Sequence, residues 1–177
     1  MKFGATVVTL GLAIGASFAE PIPKVKRALQ DYVDVITGIN DQVNLVGTLF
    51  SAYTGGDASA IVQAGEDLVA LINQGTSDVN GFDPLSVADG LSLVQPILDL
   101  TDDVNATIDI VISKEAVVDA NNYHDTVVQN LQDQKAASDG LAAAITAKTP
   151  AELADLAAEL AAGVSAAIQR GIDAYSD

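Results

Sequence analysis

His124, in the run Asn121-Asn122-Tyr123-His124-Asp125, is the only imidazole in the chain, so it is the one side chain whose ordinary pKa suits proton transfer near neutral pH. General-base chemistry needs that ring beside a nucleophile and an orienting carboxylate, and no motif announces a serine in such a place. With no cysteine and no second histidine, thiolate chemistry and a zinc site are excluded. The alternative reading, a polar residue near the start of a helix, is preferred for His124. Asp99, Asp102, Asp103 and Asp109 crowd one stretch and suggest calcium, but calcium loops converge their ligands around a glycine at a tight turn, and that spacing is missing. A solvated acidic helix face is the expectation, with no metal and no cofactor. Asn105-Ala106-Thr107 is an N-glycosylation sequon, and Asn105 is expected to carry a glycan if it points outward.

The elements that would position these residues are helices. Apolar residues step through Leu29, Tyr32, Ile36, Ile39, Val43, Val46, Phe50 and Tyr53 at alternating intervals of three and four, one amphipathic helix of about 25 residues. Thr54-Gly55-Gly56-Asp57 ends it, with Asp57 as the expected N-cap of a second helix whose inward set is Ile61, Ala64, Leu68, Ile72 and Val79. Ser86 caps a third, with Val87, Leu91, Val94 and Leu98 inward and a kink expected at Pro96, after which the face shifts to Ile97, Leu100, Val104, Ile108 and Val111. That shift is expected to turn Asn105 away from the centre. A turn falls around Lys114 to Ala120. A fourth helix runs through Tyr123, Val127, Leu131, Ser138, Leu141 and Ile145. Thr149-Pro150-Ala151-Glu152 reads as a capping box opening a fifth, which presents Leu153, Leu156, Leu160, Val164, Ile168, Ile172 and Tyr175. The fold class is therefore all-α, an antiparallel bundle of about five amphipathic helices with the third kinked at Pro96.

Several of these faces are wider than mutual packing requires, as at Val35-Ile36, Leu45-Val46, Leu71-Ile72 and Ile110-Val111-Ile112. A thick core is one reading; an internal chamber for a lipid chain and an exposed patch that adsorbs to greasy surfaces are the others. Gly65, Gly75, Gln134 and Ser138 at inward positions favour the chamber, because they leave space where bulky side chains would sit. Its expected apolar lining is Val43, Val46, Phe50, Leu68, Ile72, Leu91, Val94, Leu98, Val127, Leu131, Leu160 and Val164. Thr101, Gln134 and Ser138 are the expected contacts for a polar head group, since a polar group buried without a partner is costly.

The N-terminus bears on where such a molecule works. Met1-Lys2, an apolar run from Phe3 to Phe18 and the small-residue frame Ser17-Phe18-Ala19 read as residues 1–19 of a signal peptide cut after Ala19, the run being too weakly apolar for a membrane span. Residues 20–27 hold two prolines and end in Lys26-Arg27: either a pro-segment cleaved after Arg27 or a basic arm. The domain proper is 28–177. It keeps 4 basic against 23 acidic side chains, a formal net charge of −19 where the whole chain has −16. Such a surface repels nucleic acid and anionic membranes, and it keeps soluble a chain that is 49% hydrophobic. Without cysteine, stability has to come from the core, for which about 150 residues suffice.

Asp31-Tyr32-Val33-Asp34-Val35-Ile36 through Val43 and Leu49, the Tyr53-Thr54-Gly55-Gly56-Asp57 break, Leu68 to Gly75, Val87 to Leu100 and Lys148-Thr149-Pro150 together resemble the hydrophobic surface binding protein A family of fungi, which also contains antigenic cell-wall galactomannoproteins. The resemblance covers about residues 28 to 175 and rests on patterns, with no catalytic signature to carry over. It implies a secreted or wall-associated helical bundle without enzymatic activity. Relatives bind hydrophobic surfaces and can recruit a secreted, polyester-degrading hydrolase, and some similar domains hold long-chain fatty acids. The expected partners are thus hydrophobic surfaces or fatty acids, with no nucleic acid and no membrane span. A structural or antigenic wall protein without a ligand is the alternative. The missing Ser/Thr-rich stalk and anchor tail lead to an expectation of release into the medium.

Overall fold

A computed structural model describes residues 24–176, with side-chain environments from Leu29 onward. The expected signal peptide and its cut after Ala19 lie outside the described residues. Five long helices carry the fold: α1 (Lys24–Ala52), α2 (Ser59–Gly81), α4 (Val94–Ser113), α6 (His124–Lys148) and α7 (Ala154–Ala174). Two short helices, α3 (Val87–Ser92) and α5 (Glu115–Ala120), sit in the connections before α4 and α6, and a 3₁₀ turn over Ala151–Leu153 leads into α7. No strand occurs among the described residues.

Each periodic face predicted for α1 and α2 is buried: Tyr32, Ile36, Ile39, Val43, Val46, Phe50 and Tyr53 on the first, Ile61, Ala64, Leu68, Ile72 and Val79 on the second. Consecutive long helices run in opposite directions. Across α1 and α2, Gln42 Nε2 donates to Ala64 O at 2.9 Å while the Tyr32 hydroxyl reaches Asp83 O at 3.0 Å, so low numbers on one helix meet high numbers on the other.

Side-by-side neighbours, however, are mostly parallel. Asn44 Nδ2 meets Asp103 Oδ2 at 2.9 Å and Lys114 Nζ meets Ser51 O at 2.8 Å, which aligns α1 with α4. Lys148 Nζ donates to Asn80 O and Phe82 O, aligning α6 with α2, and the Tyr175 hydroxyl donates to Val111 O at 2.9 Å, aligning α7 with α4. The packing order is α2, α1, α4, α7, α6 and back to α2, a closed ring with no helix at its centre.

The parallel pairs explain the use of cations. Helix C-termini leave carbonyls without intrahelical donors and carry partial negative charge, and in a parallel pair both such ends share one end of the bundle. Lys114 therefore closes the end of α1 through Ser51 O and Tyr53 O, as Lys148 closes that of α2. Along the exposed faces, acidic side chains are held by glutamines one turn earlier: Gln30 to Asp34, Gln63 to Asp67, Gln74 to Asp78, Gln95 to Asp99, Gln129 to Asp133 and Gln169 to Asp173.

Local punctuation differs from expectation in four places. The interruption expected at Pro96 falls at Leu93; Pro96 is the third residue of α4, in a first turn where an N–H has no intrahelical acceptor anyway. Ser86 caps α3 by accepting Asp89 N–H at 3.1 Å, but Val87, Leu91 and Leu98 do not turn inward and are 43%, 53% and 41% exposed. The inward anchor is Leu93, 2% exposed, because the bend turns that residue into the core. Asp57 lies one residue ahead of the α2 cap, where its carboxylate accepts Ser59 N–H at 2.9 Å. The capping box at Thr149 does not form: its hydroxyl turns back to Ile145 O at 2.9 Å, and the chain passes through the 3₁₀ turn before α7.

Leu93→Ala should lower unfolding free energy by about 2–5 kcal/mol, through lost transfer energy and a cavity. Leu91→Ala, two residues away on the exposed side, should stay within about 0.5 kcal/mol of the parent. Urea denaturation followed by circular dichroism distinguishes this from a helix with Leu91 inward, which reverses the order.

Candidate functional site

Helix axes about 10 Å apart around a ring of five lie about 8.5 Å from the common centre. Side chains from all five helices must span that distance, and many inward positions here hold only valine, alanine, serine or threonine. A cavity of about 100 Å³ remains on the ring axis. Its walls are Ile36, Ile39, Val43 and Val46 of α1, Leu68 and Ile72 of α2, Ile97, Leu100, Val104 and Ile108 of α4, Gln134, Ser138, Leu141 and Ile145 of α6, and Leu160, Val164 and Ile168 of α7. A second cavity, about 40 Å³, continues along α1, α2, α4 and α6 past Phe50, Val127 and Leu131. Val46, Thr107, Ile108 and Gln134 form the partition common to both.

The enclosure is uneven. Lining residues on α1 and α2 are buried, whereas Ala157, Leu160, Ala161, Val164 and Ser165 on the first half of α7 are only half-buried, and nothing between Ala154 and Ser165 is fully buried. That half-helix is the thinnest wall between chamber and solvent.

Of the residues expected to line a chamber, Val43, Val46, Leu68, Ile72, Leu160 and Val164 surround the larger cavity, and Val46, Phe50, Val127 and Leu131 the smaller. Leu91, Val94 and Leu98 line neither, because the bend at Leu93 directs that stripe outward. Gln134 and Ser138 reach the larger cavity; Thr101 does not, its hydroxyl donating to Ile97 O at 2.7 Å. The expected role of the glycines also changes. A Cβ on Gly75 would lie 2.7 Å from Val35 Cγ1, so Gly75 admits a neighbouring helix and lines neither cavity; Gly65, where a Cβ would strike the Asn130 side chain, borders the smaller cavity. Sequence reasoning missed Thr107, buried with its hydroxyl 3.4 Å from Val43 O; only its place one residue before Ile108 on the inward face signalled it.

Comparison with known proteins identifies this architecture. Residues 29–147 match the family model described as hydrophobic surface binding protein A. The chain belongs to that family. It is 45% identical over 177 residues to cell wall mannoprotein 1 of Aspergillus fumigatus and 41% identical over 177 residues to the protein of the same name in Aspergillus flavus. Both alignments take in 100% of this chain, which spans 61% and 63% of the two relatives. Among solved structures, ligand-binding domain 1 of the Penicillium marneffei MP1 protein, complexed with arachidonic acids, superposes with a TM-score of 0.72 at 28% identity, covering 88% of this chain and 98% of that one.

In this member of the hydrophobic surface binding protein A family the polar candidates are spent on structure. Asp103 accepts from Asn40 and Asn44, Asp99 from Gln95 and Asp109 from Arg170. No group of three potential metal ligands occurs among the described residues. Asn105 lines neither cavity and is half-buried at the contact with α7: its Nδ2 donates to Thr101 O at 2.9 Å and its Oδ1 accepts from Arg170 at 3.1 Å. No described helix is long and apolar enough to cross a membrane.

His124 opens α6 with Nδ1 2.7 Å from Asp119 Oδ1 and its ring against Tyr175, whose hydroxyl is occupied by Val111 O. The hydrogen bond to Asp119, ahead of a smaller opposing desolvation, holds its pKa above the ordinary 6.5. A raised folded-state value means the pair stabilises fully below about pH 6.5 and loses that contribution as pH rises through the folded value. Thermal unfolding at about pH 5.5 and about pH 8.5 should show a larger drop in Tm for the parent than for His124→Asn, and equal drops would remove the pair from the stability balance.

Proposed function

We propose that this chain is a secreted, non-enzymatic carrier that takes long acyl chains into the axis of its helical ring. The observation that carries this reading is the closed ring itself, which encloses an apolar cavity contributed to by all five long helices. Similarity to a domain solved with arachidonic acids supports an acyl ligand, and the names of the two Aspergillus relatives support a secreted or wall-associated location, as does the signal-like N-terminus. Processing after Ala19, and after Arg27, belongs to the same reading.

At about 100 Å³ the larger cavity is below the ~150 Å³ hollow that accepts a benzene ring, so a long chain needs the chamber to widen. The half-buried first half of α7 is the wall with least apolar contact to lose, and joining the two cavities past Gln134 and Thr107 lengthens the available channel. Loading therefore couples acyl burial, worth about 0.8 kcal/mol per methylene, to outward movement of α7.

A second reading draws on Val87, Leu91 and Leu98, exposed together around α3 and the start of α4, which suit adsorption to a hydrophobic solid. The two readings separate experimentally. Solvent extraction of purified protein with mass spectrometry, followed by titration with long-chain fatty acids, should find stoichiometric binding. Ala161→Trp, which fills the larger cavity from its thin wall, should weaken that binding at least about tenfold with helix content retained. Undiminished binding in this variant, together with loss of lipid uptake in Leu91→Ser/Leu98→Ser, would move the site to the surface.

A further inference from the structure

The charge around the chamber points to a restriction on its ligand. Among the described residues, one ionisable residue borders the larger cavity: Asp139, whose side chain is half-exposed at the rim. The four cations whose side chains are described are engaged elsewhere. Lys114 and Lys148 cap the ends of α1 and α2, and Arg170 bridges Asp109 and Asn105 on α4. Lys135, next in sequence to the lining Gln134, is 3.0 Å from Asp139, so a ligand carboxylate that took Lys135 would leave Asp139 unpaired beside it. The other lining groups on α1, α2, α4 and α7 are hydrocarbon, hydroxyl or amide, with Asp103 of α4 turned to Asn40 and Asn44 and away from the cavity. The surrounding field is that of a chain with a formal charge of −16.

Resting on the acyl-chamber reading, we infer that the chamber selects lipids whose head group is uncharged: a fatty alcohol or similar neutral amphiphile, or a fatty acid in its protonated form. An ionised carboxylate entering this cavity loses its hydration and meets no cation among the described lining residues, with the acidic Asp139 at the rim. A hydroxyl or a protonated carboxyl needs only a hydrogen-bonding partner, which Gln134, Ser138 and Thr146 supply along the same wall. Burial raises the pKa of the bound acid from an ordinary value like that of glutamate, about 4.3, so the acid binds with uptake of a proton.

The test compares hexadecanol with palmitic acid on the full protein, each below its aggregation limit, at about pH 6 and about pH 8. Palmitic acid should lose about tenfold in affinity per pH unit, roughly 100-fold across the interval, while hexadecanol changes less than about threefold. Carbon-13 NMR of carboxyl-labelled palmitic acid in the complex at about pH 7 should give the shift of the protonated acid, and Lys135→Gln should leave the alcohol-to-acid preference in place. Palmitic acid bound equally at both pH values, a carboxylate shift in the complex, or selective loss of acid binding in Lys135→Gln overturns the inference and leaves the chamber standing. Failure of both lipids to bind at either pH overturns the chamber reading, and this inference with it.

Discussion

Five amphipathic helices arranged as a ring must all satisfy their apolar stripes at one shared axis, and everything else about the molecule depends on how far their side chains reach toward it. Four helices close on their own centre with leucine-sized side chains, whereas a ring of five holds its axes about 8.5 Å away and leaves the middle short of atoms. Isoleucine and leucine on α1 and α2 cover much of the gap. On α7 the corresponding positions include Ala157, Ala161, Val164 and Ser165, so the deficit collects against that helix. The larger hollow is a consequence of helix number and side-chain length, and no glycine lines it.

Acidity and the scarcity of cations shape the exterior by the same economy. With few lysines to pair 23 carboxylates beyond residue 28, the surface relies on glutamine one turn before aspartate, a neutral donor whose bond does not weaken with salt as an ion pair does. Of the four described cations, Lys114 and Lys148 close helix ends, Arg170 joins α4 to α7, and Lys135 pairs with Asp139 along α6. This division of labour ties the exterior to the interior: none of the four is among the residues that line the chamber.

Closing contacts at one end of the ring reach every long helix, whereas at the other they join α1, α2 and α6 through Tyr32 and Lys148. At the first end Tyr175 is pinned to Val111, His124 bridges toward Asp119, Gly56 N–H donates to Asn121 Oδ1 at 2.7 Å, and Lys114 draws α1 to α4. At the other end α3, the 3₁₀ turn and the start of α7 bury little, and Val87, Leu91 and Leu98 face solvent. A ring whose α7 wall is thinly buried at that end can admit a guest without unfolding, because the cost of opening scales with the apolar contact that is broken.

From the residues alone one could read the helical class, the number of long helices, the buried faces of α1, α2, the latter part of α4 and α6, and the absence of a cysteine or histidine set for metal or thiol chemistry. These follow from a period of 3.6 and from composition, properties each segment carries by itself. Val43, Val46, Leu68, Ile72, Leu160 and Val164, which border the larger cavity, were legible for the same reason. The sequence did not reveal the bend at Leu93, the outward turn of Leu91 and Leu98, the failure of the Thr149 capping box or the pairing of Asn105 with Arg170. The bend and the pairing are decided by what other helices offer, a core position for Leu93 and Arg170 for Asn105, while Thr149 turns back to Ile145 O of the helix it ends. Periodicity states which side of a helix is apolar, but only the closure of the ring decides which other helix that side meets, and whether the side chains between them fill the space.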